Sequence, residues 1–164
     1  MKSSSGEHGI EKTNVMRLLD QAGVAYTPHA FSFDTVPTAV EVAHILHKPV
    51  ESVFKSLVTE GASHQRYVFM IPAQEELSLK KAAQAAGEKS IMMMKSKDLL
   101  AATGYVHGCC TPIGLKKPLK TFADETMELC DTVLFSAGRI GYQVEMLPED
   151  VIHFAEITLA DLTV

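Results

Sequence analysis

Val53-Phe54-Lys55-Ser56-Leu57-Val58-Thr59-Glu60, then Gly61-Ala62-Ser63-His64-Gln65, then Arg66-Tyr67-Val68-Phe69-Met70-Ile71: two runs rich in β-branched and aromatic residues are parted by five small or polar ones. Such a pattern predicts a β-hairpin. Helix and strand signals alternate on either side of it. Upstream, Thr13 can cap a helix in which Val15, Leu18, Leu19 and Ala22 fall at helical spacing, and Gly23 can end it in a left-handed conformation. A strand is expected over residues 26–33. Thr38 and Glu41 then have capping-box spacing and open a helix that ends near Leu46, before Pro49.

Downstream, Ser78 can cap a helix running to Ala86, with Gly87 as its stop. A short strand is expected at residues 90–94, a short helix at 96–102, and strands at 119–123, 132–136 and 141–146, the last two joined by a turn at Ala137 and Gly138. Pro148 is placed to start a final helix, and residues 155–159 read as a last strand. Many short strands with helices and hairpins among them indicate an α+β domain with a mixed, largely antiparallel sheet. No internal repeat or linker interrupts it.

With 164 residues, 46% of them hydrophobic, the chain can bury the core of one domain, expected over residues 13–164. Residues 1–12 are polar and read as a disordered tail. No apolar run approaches the roughly 20 residues that cross a bilayer, and the start lacks a signal peptide's apolar core, so a cytoplasmic protein with no membrane partner is expected. Three cysteines, two of them adjacent, make no disulfide framework. The formal charge of −5 is unevenly spread: between positions 80 and 120 eight lysines face only Glu88 and Asp98, a local balance of +6 that leaves −11 elsewhere. Converging lysines would give an acidic protein one face for an anionic partner. Solvated lysines pointing several ways are the other reading.

Two local features carry chemistry. In the run Thr103-Gly104-Tyr105-Val106-His107-Gly108-Cys109-Cys110-Thr111-Pro112-Ile113-Gly114-Leu115-Lys116-Lys117, glycines bracket adjacent cysteines and lysines follow at once. Such a backbone can turn sharply and present N–H groups to a carbonyl oxygen or phosphate, although a plain connecting turn has the same composition. Lys55 is the second feature. It lies inside a strand, sharing a face with Leu57 and Thr59 while Phe54 and Val58 take the other, which suits either a cation on a pocket floor or an edge lysine reaching solvent.

Five segments in order are similar to the YbaK/ProX family of trans-acting editing domains, relatives of the insertion domain of bacterial prolyl-tRNA synthetase. They are Phe54-Lys55-Ser56-Leu57; Leu79-Lys80-Lys81-Ala82-Ala83; Thr103-Gly104-Tyr105 running into residues 108–112; Pro112-Ile113-Gly114-Leu115-Lys116-Lys117-Pro118-Leu119; and Ser136-Ala137-Gly138-Arg139. The resemblance spans residues 13–158. It implies a single curved sheet with flanking helices and a hydrolase without cofactor or metal. Such an enzyme cleaves the ester of mischarged tRNA(Pro), typically cysteinyl- or alanyl-tRNA(Pro), as a second sieve for errors that a synthetase pocket cannot reject.

By that resemblance Lys55 is the catalytic residue. Phe31, Ser56, His107, Gly108, Cys109, Cys110, Thr111, Pro112, Ser136 and Gly138 border the aminoacyl pocket, and Lys116, Lys117, Lys120 and Arg139 meet the tRNA. A monomer is implied, with prolyl-tRNA synthetase as a candidate partner and no DNA. N–H groups of residues 108–111 would serve a developing oxyanion, and water or the substrate's own thiol would attack. Cys109 and Cys110 depart from the family's small residues, as do Phe31 and Gln143 from its tyrosine and acidic residue, which leaves the preferred amino acid open. A non-catalytic binding module on the same fold is the rival reading.

Three further readings concern the sulfur-bearing residues. A thiol nucleophile or sensor would require Cys109 or Cys110 to be exposed with a lowered pKa, and the stronger reading is of small, buried residues that fit a tight loop. A zinc site is disfavoured by the lack of separation between the two cysteines. Met92, Met93 and Met94, beside Ile91, read as a core strand rather than as a flexible binding strip.

Overall fold

In a computed structural model, which describes residues 10–164, the helix ends lie where the sequence punctuates them. The Thr13 hydroxyl accepts from the Met16 N–H and caps α1 (Asn14–Ala22), which stops at Gly23 with φ of 70°. Thr38 and Glu41 form the full capping box of α2 (Ala39–Ile45). Ser78 caps α3 (Leu79–Ala86), again closed by a left-handed glycine, Gly87. Helix α4 (Ser96–Thr103) ends at Gly104, and α5 (Pro148–Phe154) starts on its proline. Of the expected tail at residues 1–12, positions 1–9 lie outside the described residues.

The predicted hairpin is present: β2 (Phe54–Gly61) pairs antiparallel with β3 (Arg66–Pro72), with Phe54 opposite Pro72 and Glu60 opposite Arg66. The single sheet expected from the sequence is two. A five-stranded sheet runs in the order β4-β2-β3-β5-β8, with β4 (Ile91–Met93), β5 (Lys120–Asp124) and β8 (Ile157–Ala160); β5 lies parallel to both β3 and β8. A three-stranded antiparallel sheet holds β1 (Thr27–Ala30), β7 (Tyr142–Met146) and β6 (Val133–Ser136). One parallel bridge, Val53 to Leu134, joins the two. Strand β1 is four residues rather than the expected eight, and a 3-10 turn, Glu125–Leu129, follows β5 unforeseen.

Strand β3 is the centre of the core. Val68 and Met70 meet α1, Phe135, Val144 and Val151 on one face; Tyr67, Phe69 and Ile71 meet Ala82, Ala83 and Phe122 under α3 on the other. Burial of each large side chain contributes on the order of 1.5–3 kcal/mol. A smaller cluster, Ala43, Val53, Ala73 and Leu134, seats α2 on the junction of the two sheets. Strand β4 is at the sheet edge rather than in the core, so Met92 and Met93 are exposed, contrary to the core-strand reading.

Candidate active site

The site begins with an incomplete strand partner. Strand β4 pairs with β2 only at Thr59, Glu60 and Gly61, and Met94 N–H reaches the Val58 carbonyl. At the other end, Val53 bridges to β6. Between these contacts residues 54–57 have β3 on one side and, among the described residues, no strand on the other. By the two-residue alternation of a strand, Ser56 turns its backbone N–H and C=O to the same open edge as Val58.

That open edge borders a cavity of about 600 Å³. Lys55 and Ser56 line it from β2, Met93 and Met94 from the end of β4, and His107, Gly108 and Cys110 from the glycine-rich loop. Ser136 and Gln143 close it from the second sheet, while Val36, Pro37 and Thr38 lead into α2 along another wall. Among the described residues no acidic side chain borders the cavity and Lys55 forms no ion pair. A half-buried, uncompensated cation therefore dominates its electrostatics. Volume alone does not single it out: an open groove of about 740 Å³ lies beside Glu128, Glu149 and Glu156, but three carboxylates would repel an anionic ligand.

The loop is held by Tyr105. Its hydroxyl donates to the Ile113 carbonyl at 2.6 Å, and burial pushes its pKa up to about 12, so it stays protonated as a donor. The ring fills the space that side chains at Gly114 and Gly138 would need. Gly108 has φ of 97°, a left-handed conformation that suits glycine. The Cys109 N–H donates to Val106 at 3.2 Å, which removes it from the set expected to face an oxyanion; Gly108 and Cys110 N–H have no protein acceptor among the described residues. Ser136 Oγ donates to the Cys109 carbonyl at 2.9 Å and accepts from Gly138 N–H at 3.1 Å, tying the loop to β6.

Several expected residues lie elsewhere. Cys109 and Thr111 are buried behind the loop, and Pro112 faces a separate hollow with Leu18 and Lys120. Phe31 borders a crevice of about 20 Å³ that shares Val36, Pro37, Gly108, Ser136 and Gln143 with the cavity, and Arg139 lies there too. Gly138 supports Ser136 without lining the cavity. Lys116 reaches the Ala101 carbonyl at the end of α4; Lys120 reaches the Thr158 hydroxyl over the Phe122 ring; Arg139 pairs with Glu11 over Tyr142; Lys117 is exposed. Burial raises the pKa of both loop thiols, Cys110 to about 11, and both Sγ atoms point to the Val106 carbonyl, which contradicts the reading of an exposed, activated thiol. The walls from 36–42 and from Met93 and Met94 were not foreseen; their one sequence signal is the Thr38 cap, which fixes where α2 starts.

The pattern of the aminoacyl-tRNA editing domain matches residues 34–154. A protein of Enterococcus faecalis named as a Cys-tRNA(Pro)/Cys-tRNA(Cys) deacylase, EbsC, is 40% identical over 154 residues, covering 90% of this chain and 94% of its own. A proline–tRNA ligase of Burkholderia orbicola is 28% identical over 107 residues; the match takes in 63% of this chain and 18% of the ligase. Among solved structures, one described as a trans-editing enzyme for prolyl-tRNA synthetase shares the fold with a TM-score of 0.83 at 22% identity, over all of this chain and 99% of its own. The hypothetical protein APE2540 does so with a TM-score of 0.84 at 19% identity, over 92% of this chain and 99% of its own.

Proposed function

Since the chain belongs to the aminoacyl-tRNA editing domain family, we propose that it hydrolyses cysteinyl- or alanyl-tRNA(Pro) in trans, with Lys55 as the catalytic residue. The observation that carries this reading is the open edge of β2, which puts an unpaired lysine and the Gly108 turn around one cavity free of carboxylates. The name of the 40% identical relative favours cysteine. The ligase match supports tRNA(Pro) as the carrier and prolyl-tRNA synthetase as the partner that hands it over.

Ester hydrolysis develops negative charge on the carbonyl oxygen. The Lys55 ammonium would stabilise it, with the unpaired N–H groups of Gly108 and Cys110 as further donors. With no carboxylate in the cavity and both loop thiols protonated, the attacking group is water or the substrate's own thiol. It adds to the carbonyl carbon and gives up its proton, and the tetrahedral species expels the ribose 3′-oxygen, which takes up a proton to give free tRNA; the other product is the amino acid when water attacks, or a cyclic thioester of cysteine that water then opens when the thiol does. His107, Ser136 and Cys110 would bound the amino-acid side chain, and the exposed Lys117 would meet the tRNA. The protein would act as a cytoplasmic monomer built on residues 13–164.

The test is deacylation of tRNA(Pro) charged in turn with cysteine, alanine, serine and proline. Rapid loss of the cysteinyl or alanyl ester, with prolyl-tRNA(Pro) spared, is expected. Stability of all four esters, with tight binding of one, would favour the non-catalytic binding module instead.

A further inference from the structure

Two polar atoms in the cavity walls lack partners. Ser56 Oγ and Gln143 Oε1 are buried and form no hydrogen bond among the described residues, although both residues border the same cavity. Leaving a buried polar atom unsatisfied costs on the order of 1–3 kcal/mol, so a pair of them in one ligand-sized space marks a place that a ligand completes. The Thr111 hydroxyl is unpartnered too, but it is fully buried and does not border the cavity, so it offers no such place.

Gln143 Oε1 can only accept, and Ser56 Oγ can accept, so the missing group is a donor. We infer that these two oxygens receive the protonated α-amino group of the aminoacyl ester and thereby orient it. This rests on the editing function proposed above. Lys55 repels an ammonium and attracts the carbonyl oxygen, while the neutral oxygens of Gln143 and Ser56 hold the ammonium without neutralising Lys55. The ester is then gripped at both ends of its Cα–carbonyl bond. Gln143 is well fixed for the task, sitting in β7 opposite His29 in β1 and Ser136 in β6. Specificity follows: an ester whose amine is acylated, as on an initiator-type or peptidyl-tRNA, cannot donate as an ammonium and is spared.

The experiment compares kcat/KM for cysteinyl-tRNA(Pro) and N-acetylcysteinyl-tRNA(Pro), each corrected for its spontaneous hydrolysis, in the wild type, Gln143→Leu and Ser56→Ala. The wild type should prefer the free amine by about 10- to 100-fold, the range of a hydrogen bond to a charged group. Both variants should shrink that preference by losing rate on the free amine alone. Ser56→Ala removes one atom and keeps the test open should Gln143→Leu fail to fold. An equal fall on both esters, or an unchanged preference in the folded variants, overturns the inference while leaving the editing reading intact. A wild type inactive on both esters, and on alanyl- and N-acetylalanyl-tRNA(Pro) run in the same way, would remove the editing reading, and this inference with it.

Discussion

Replacing Gly138 with alanine would place a methyl group 2.9 Å from Tyr105 Cε1, at a residue with φ of 91°. The ring cannot swing away without losing the hydroxyl's bond to Ile113. A cost of about 1–3 kcal/mol is expected, read as a fall in Tm of about 3–10 °C by calorimetry. Because the same turn donates to Ser136, deacylation should weaken as well. The thiols give a second expectation at this scale. With pKa values raised by burial, Cys109 and Cys110 stay protonated at pH 7.5, so iodoacetamide should label them slowly in the native protein and quickly in urea, as mass spectrometry would follow. Fast native labelling would restore the thiol reading. The place of Lys55 on a cavity wall is one of the two readings that a cation inside an apolar strand allowed. The burial of the cysteines agrees with their reading as small residues of a tight loop, but what closes that loop had no local signal, since Ser136 lies 27 positions from Cys109.

The elements repeat that division. Caps and stops at Thr13, Gly23, Thr38, Ser78 and Gly87 are local chemistry and could be read directly. The pairing of β1 with β7 joins residues more than a hundred positions apart, and no local signal announces it. Nor does any announce Glu145, whose carboxylate in β7 takes His29 of β1 at 2.8 Å, Lys48 after α2 at 3.2 Å, and the Thr132 hydroxyl. Burial pushes its pKa up, but those three partners together outweigh it and leave it below the ordinary 4.5. A group depressed in the folded state adds stability above its unfolded pKa and loses it as pH falls through the folded one. Glu145→Gln should therefore lower stability at pH 7 by about 1–3 kcal/mol, read as a lower urea midpoint, and flatten the loss of stability below about pH 5. An unchanged acid limb would show that other carboxylates control it.

For the whole molecule, the uneven charge matters more than its sum of −5. Lys81 pairs with Asp161, and Lys116 and Lys120 take local oxygens, whereas the exposed Lys95 and Lys97 flank Ser96 on the cavity wall. Lys95→Gln combined with Lys97→Gln should raise KM for aminoacyl-tRNA, leave kcat nearly unchanged, and reduce the salt dependence of kcat/KM by about one to two in log–log slope. Equal effects on a short aminoacyl-adenosine ester would place the fault in the cavity instead. The two sheets join at Val53, and just beyond that junction residues 54–57 pair with β3 alone, with the cavity along their other edge. The most direct measurement is single-turnover deacylation of cysteinyl- and alanyl-tRNA(Pro) by the wild type and by Lys55→Ala, with Tm recorded for both. A loss of at least about a hundredfold on whichever ester the wild type cleaves, at nearly unchanged Tm, is the predicted result; full activity in the variant would contradict the central role given to Lys55.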